Sequence, residues 1–191
     1  MKKFLRSDFE KIYKLKDYDR KPEFDIYHVD DWDHRIKDYS NSDERVYASN
    51  VDFFFDSKDM TDFLKEFLRF IDFDKCYILS LYHTNNKIAK GNSSVENDIY
   101  EEYKIMLNSV GLSVNTFDTV QMTKDEIINW CKYFSVAGFM GISNFSLIIP
   151  KADITIIAHH HMNYLIYSDL LNKEFVKRIT NNHQDIKMVC C

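Results

Sequence analysis

Three apolar runs in the second half of the chain, separated by short polar breaks, constrain its fold more than any other feature. Each run is rich in β-branched or aromatic residues, which is typical of strands. The runs are Phe145–Ile149, Ile154–His159 and Asn163–Tyr167. The first break, Pro150-Lys151-Ala152-Asp153, has the composition of a turn, and the second lies around His160 and His161. Because breaks this short join antiparallel neighbours, we expect a three-stranded antiparallel meander.

A continuous apolar stripe predicts the clearest helix, which we expect to begin after Ser57. Its members recur at the i, i+3, i+4 and i+7 spacing of one helix face. The stripe consists of Met60, Phe63, Leu64, Phe67, Leu68 and Ile71. A helix with such a stripe packs one side against a core.

Capping signals predict three more helices. Two of them begin with a Ser or Thr followed three residues later by Glu, the reciprocal pattern of a capping box. These pairs are Ser93 with Glu96 and Thr123 with Glu126. Gly111 supplies a left-handed stop for the first of the two helices. Ser168 caps a last helix that carries apolar residues at 171, 175 and 179.

Clusters of β-branched and aromatic residues predict four further strands. They are Phe24–Val29, Arg45–Phe55, Lys75–His83 and Val114–Thr119. Strands and helices are interspersed without regular βαβ alternation, which favours an α+β fold. We expect a single antiparallel-rich sheet with helices packed on one face. Residues 1–191 fit a single domain, with a helical segment at 1–20 and a tail at 181–191.

Composition excludes several kinds of cofactor site. The four glycines, at positions 91, 111, 138 and 141, form neither a dinucleotide-binding fingerprint nor a P-loop, so we expect no cofactor. No apolar run approaches the roughly 20 residues of a membrane-spanning helix, and no signal region follows the N-terminus. Cys76 and Cys131 lie in apolar surroundings, which predicts core thiols rather than nucleophiles. We expect a reduced, cytoplasmic protein.

Negative charge is concentrated between Lys21 and Asp62. This segment holds twelve acidic and five basic residues, a local charge of −7, whereas the whole chain has a net charge of −5. Such a field attracts basic proteins and repels nucleic acid and anionic lipid. Carboxylates around an aromatic side chain are also a combination that binding interfaces favour. We predict that a partner protein contacts Asp30, Asp31, Trp32, Asp33, Asp43, Glu44, Asp56 and Asp59.

The stretch from Asp25 to His34 leaves two other interpretations open. Its carboxylates and histidines are groups that acid/base catalysis or a hard metal ion uses. It is also compatible with a solvated strand-to-helix junction in which Asp31 or Asp33 caps the helix.

The run His159-His160-His161 suggests an enzymatic alternative. On a strand, positions 159 and 161 share a face, so His159 and His161 could bind one metal ion together with His83 or a carboxylate. That set would serve a metal-dependent hydrolase or nuclease. No HExxH motif or paired Cys/His framework accompanies the run, and a polar strand end explains it more simply. We therefore expect no metal and favour a protein without enzymatic activity.

The block Phe145–Tyr167 resembles the terminal hairpin of small bacterial immunity proteins, which neutralise polymorphic toxins, including those of contact-dependent growth inhibition. The resemblance implies a non-enzymatic, cytoplasmic protein that binds a cognate toxin domain, and it carries no site residues. Toxin domains that attack nucleic acid are often basic, and an acidic inhibitor competes for that surface. We thus expect a protein partner, with no nucleic acid and no membrane. A structural or regulatory subunit remains a third possibility, and the oligomeric state is open.

Overall fold

The computed structural model describes residues 1–13, 26–30, 50–80, 86, 94–139, 145–159, 163–168, 173–181 and 187–190. Within these ranges helices and strands alternate irregularly along the chain. In order they are β1 (Lys2–Phe4), α1 (Arg6–Ile12), β2 (Ile26–Asp30), α2 (Asn50–Phe70), β3 (Lys75–Ser80), α3 (Ser94–Ser109), β4 (Thr119–Thr123), α4 (Lys124–Phe139), β5 (Phe145–Ile149), β6 (Ile154–His159), β7 (Asn163–Tyr167), α5 (Lys173–Thr180) and β8 (Lys187–Cys190).

The strands of the described residues form one antiparallel sheet in the order β1-β4-β3-β5-β6-β7-β2-β8. The predicted meander is confirmed, because β5, β6 and β7 have the predicted bounds and are neighbours. A 3-10 turn at Pro150–Ala152 joins the first two. Asp153 completes the turn in the left-handed conformation, with φ of 47°, which aspartate adopts more readily than most residues.

One face of the sheet carries the main hydrophobic core. Alternate residues of the central strands point into this core, as the two-residue period of a strand requires; they include Ile78, Leu147 and Ile156. Residues of α2, α3, α4 and α5 pack over them, and the predicted stripe of α2 is buried along its whole length. The predicted fold class, α+β, is confirmed: α2, α3, α4 and α5 pack on one face of an antiparallel sheet.

Local capping signals place one end of each of two of these helices, the start of α4 and the end of α3. At the start of α4 the Thr123 N–H donates to Oε2 of Glu126 at 2.8 Å, and the Glu126 N–H donates back to Oγ1 of Thr123 at 3.4 Å. This is the predicted capping box. After α3, Gly111 takes a φ of 73°, and the Leu112 N–H donates to the carbonyl of Leu107 at 2.9 Å. The predicted left-handed stop is therefore confirmed.

Helix α4 approaches the sheet closely where Gly138 faces Ala158 of β6. A Cβ atom at position 138 would lie 2.4 Å from both Cβ and the carbonyl oxygen of Ala158. Ordinary carbon contacts are roughly 3.5–4.0 Å, so only glycine permits this spacing. The same helix packs against α2 and α3, which fixes the position of all three helices relative to one another.

The opposite face of the sheet is partly covered by the short helix α1. Phe9 packs against Tyr77 of β3 with ring centroids 4.9 Å apart, and both side chains are buried. Arg6 is also buried and donates from Nη1 to the carbonyl of Ser80 at 2.8 Å. A second, smaller core thus lies beneath α1.

The predicted strand Arg45–Phe55 is wrong where the structure describes it. That part belongs to α2, which begins at Asn50 instead of following Ser57. A short apolar run does not by itself distinguish a strand from a helix. The overlooked signal is Phe53, which stands seven residues before Met60, at helical spacing with the buried stripe.

The strand predicted at Val114–Thr119 is displaced along the chain, since β4 occupies Thr119–Thr123 and a turn-containing loop precedes it. The central residue of β4, a glutamine, is not one of the β-branched and aromatic residues by which strands are predicted. Gln121 is buried and donates from Nε2 to the Tyr77 hydroxyl at 2.7 Å, so a residue that suggests a loop is satisfied inside the fold.

The two ends of the chain differ from the prediction. Within the helical segment expected at 1–20, helix is observed only over Arg6–Ile12 of the described residues, and β1 precedes it and pairs with β4. Within the tail expected at 181–191, Lys187–Cys190 forms β8 and pairs with β2. Strand β3 lies within the predicted Lys75–His83, and β2 overlaps the predicted Phe24–Val29 but ends one residue later, at Asp30. Ser93 and residues 169–172, on which the two other predicted helix starts depend, lie outside the described residues.

Candidate functional site

The predicted acidic contact residues fall largely outside the described residues, so their joint surface stays a prediction. Those outside are Asp31, Trp32, Asp33, Asp43 and Glu44. Asp56 and Asp59 lie on α2, where the backbone is described. Asp30 ends β2 and is paired in register with Lys187 of β8. The position across from Asp30 is therefore basic, an arrangement that favours an antiparallel pair.

The predicted histidine set is not brought together by what the structure describes. His159 ends β6 and is paired in register with Asn163, whereas His83 and His161 lie outside the described residues. Across the described ranges, no three His, Cys, Asp or Glu side chains are grouped as ligands for a metal ion. The metal-dependent alternative stays a prediction.

Cys76 and Cys131 are free, buried thiols of the main core, as predicted. Burial raises the pKa of Cys131 to about 12 and raises the pKa of Cys76 well above its ordinary value. The thiolate is the nucleophilic form of cysteine. Neither side chain therefore supplies a nucleophile near neutral pH.

An open groove of about 730 Å³ lies between α2, α3 and α4. A stripe of each helix forms one wall. Its lining residues are Lys58, Thr61, Asp62 and Lys65 of α2, Asp98, Ile99, Glu101, Glu102 and Ile105 of α3, and Lys132, Tyr133 and Val136 of α4. The α2 and α3 residues are spaced by three or four along each helix, so that each set occupies one face. A volume of this size is typical of a binding site.

The charges of the groove are partly segregated by helix, since α2 contributes Asp62 besides its lysines. The acidic groups of α3 are Asp98, Glu101 and Glu102, while the lysines belong to α2 and α4. Lys65 pairs with Asp62 on its own helix, with 3.0 Å between Nζ and Oδ1. Within the described part of the chain, Asp98 and Glu102 form no ion pair. The α3 wall therefore keeps exposed negative charge available to a partner.

The groove also presents apolar surface. Ile99 and Val136 are buried beneath it, whereas the side chain of Ile105 is 60% exposed. An exposed isoleucine beside a row of carboxylates has no role in the main core, to which the described buried residues around it belong. Apolar surface bordered by charged groups is a common composition for a binding interface.

The α3 carboxylates are site residues that the sequence reasoning missed. Residues 94–103 hold Glu96, Asp98, Glu101 and Glu102 and no basic residue, so a local charge count could have found them. A charge count does not show that these carboxylates lie near the acidic segment. It depends on α4 holding α3 beside α2, which brings Asp62 into the same groove.

Comparison with protein-family models, with curated protein sequences and with solved structures finds no match to this chain. In the ranges that the structure describes, every helix is too short or too polar to cross a membrane.

Proposed function

We propose that this chain is a non-enzymatic, immunity-type protein of the cytoplasm that binds a cognate basic toxin domain through an acidic surface and neutralises it. One observation carries the proposal: Asp62, the last residue of the acidic segment, lines the same groove as the carboxylates of α3. Asp62 itself pairs with Lys65, so the negative charge that the groove offers a basic partner comes from the exposed carboxylates Asp98 and Glu102 of α3.

The charges act in two ways on such a partner. At a distance, a surface of one sign raises the association rate by orders of magnitude, which benefits an inhibitor that must act before its toxin does. On contact, the α3 carboxylates pair with basic groups that would otherwise bind nucleic acid, and covering Ile105 removes apolar surface from water. Both effects inhibit the toxin without any chemical step.

Co-expression tests the proposed function. The chain is produced in bacteria together with each toxin domain encoded beside its own gene, and growth is scored. We expect rescue from one such domain, and we expect the two proteins to co-purify. Failure to rescue growth from any of them would contradict the proposal.

A charge-reversal variant tests the predicted acidic segment in the same assay. Changing Asp30, Asp31 and Asp33 to Lys should abolish rescue while the variant remains folded by circular dichroism. A control changes two other carboxylates to Lys, Asp72 and Asp74, which are exposed and pair with Lys151 away from the groove. Full rescue by the segment variant would remove this segment from the binding surface.

A further inference from the structure

The groove between α2, α3 and α4 has the shape of a site for one additional helix. Its walls are helix faces, each a row of residues spaced by three or four. Helices pack side by side at about 8–10 Å between axes by inserting such rows into one another. A helix that enters the groove would contact α2, α3 and α4 together.

The floor of the groove favours a partner helix that carries an apolar stripe. Ile99 and Val136 offer little exposed area, but Ile105 stands 60% exposed at the α3 edge. Partner helices that bind in grooves do so through apolar anchors at i, i+3, i+4 and i+7. Covering Ile105 removes apolar surface from water, which favours the bound state.

The charged walls of the groove favour a particular charge pattern and orientation of the partner helix. Asp98 and Glu102 stand exposed on the α3 side, while Lys58 and Lys132 stand exposed on the α2 and α4 side. A helix with basic residues along one flank and acidic residues along the other matches both walls in a single orientation. The reversed orientation places like charges together, which is unfavourable.

From these features we infer that the groove receives an amphipathic helix of the toxin domain, with basic side chains along the flank that meets α3. This inference rests on the proposed function and adds the form of the partner. The apolar stripe of that helix lies on Ile105 and the floor, and its basic flank meets Asp98 and Glu102, beside Glu101, which also pairs with Lys104 on its own helix.

Synthetic peptides of about 18 residues, long enough to form a helix, test the inference. The first has a leucine stripe with lysines on one flank and glutamates on the other. The second has the first peptide's composition in scrambled order. Binding of fluorescein-labelled peptide to the full chain is followed by anisotropy. We expect the first peptide to bind at least about tenfold more tightly than the scrambled one, and its affinity to fall with added salt.

Two pairs of variants locate the binding. Glu101→Gln with Glu102→Gln should weaken the first peptide about tenfold, whereas Asp72→Asn with Asp74→Asn, the same change in net charge away from the groove, should not. Ile105→Ser should weaken it by a similar factor, whereas Phe117→Ser, a matched change at a side chain 54% exposed outside the groove, should not. All six positions are exposed, so these variants are expected to fold.

Equal affinity for the first and scrambled peptides, or no binding by either, would overturn the inference. So would unchanged affinity in the Ile105→Ser variant. The proposed function would survive either result, because co-expression tests it separately through rescue of growth. If rescue fails while the peptide binds in the groove, the proposed function is wrong and the groove remains a site for a helix of another protein.

Discussion

Replacing Gly138 by alanine should destabilise the protein, although alanine is the better helix former. In an exposed helix the change would gain about 1 kcal/mol. Here the new Cβ would lie 2.4 Å from both Cβ and the carbonyl oxygen of Ala158, more than 1 Å inside an ordinary contact of roughly 3.5–4.0 Å. The steric conflict therefore decides the sign.

The loss of stability in Gly138→Ala depends on how far Ala158 can shift to relieve the contact. Ala158 lies in β6, which is paired on one side with β5 and on the other with β7, so its carbonyl cannot shift without straining the sheet. Overpacking in such settings costs typically 1–3 kcal/mol. Taking the upper end and subtracting the helix gain leaves a net loss of about 2 kcal/mol. For a chain of this length that corresponds to a fall in Tm of about 4–8 °C.

Urea unfolding followed by circular dichroism measures the loss, and two variants serve as controls. Gly111→Ala has free space but a φ of 73°, so it should lose about 1 kcal/mol through backbone strain alone. Ala158→Gly in the Gly138→Ala background removes the Cβ contact and leaves the contact with the carbonyl, so it should restore part of the loss. A Gly138→Ala protein as stable as the parent would refute the packing of α4 on β6 described above.

Three further predictions concern buried and capping groups. Burial raises the pKa of Cys131 to about 12 and also raises the pKa of Cys76. Iodoacetamide near pH 8 should therefore label neither thiol until the protein is unfolded, which peptide mass spectrometry would show. Rapid labelling of the folded protein would contradict the burial of these thiols. Tyr164→Phe removes a buried hydroxyl that lies 2.5 Å from Oγ of Ser135 and donates to the Met60 carbonyl at 3.1 Å. The change should lower the free energy of unfolding in urea by about 1–3 kcal/mol, and an unchanged midpoint would count against these hydrogen bonds. The N-terminal ammonium, and next the Thr123 N–H, hold the pKa of Glu126 below its ordinary value of 4.5. This lowered pKa contributes stability above about pH 4.5 that is lost as pH falls, so the Tm difference between the parent and Glu126→Gln should shrink between about pH 6 and 3; a constant difference would exclude this linkage.

The sequence predicts the fold best where two local signals coincide. The meander was found because apolar runs alternate with turn residues, and its three strands have the predicted bounds. The start of α4 was found because its capping box precedes an apolar periodicity. The prediction of a strand at Arg45–Phe55 was wrong where the structure describes it, because a short apolar run does not by itself distinguish a strand from a helix. The part that is described belongs to α2.

The candidate site was less predictable because it is made by tertiary packing. Ile105 and Glu102 carry no motif, and their proximity to Asp62 depends on α4 packing against both α2 and α3. Burial of polar residues such as Gln121 likewise depends on a partner distant in sequence, Tyr77. Local composition does show the acidic run on α3, and a charge count over short windows would have added it to the predicted surface.

The most direct test of the acidic binding surface is rescue of growth by a groove variant in cells that express the toxin domain identified by the co-expression test. The variant Asp98→Asn, Glu101→Gln, Glu102→Gln removes the three α3 charges that line the groove, all at exposed positions. We predict that it folds, no longer co-purifies with the toxin domain and fails to rescue growth, while the Asp72→Asn, Asp74→Asn control rescues fully. Full rescue by the groove variant would contradict the account.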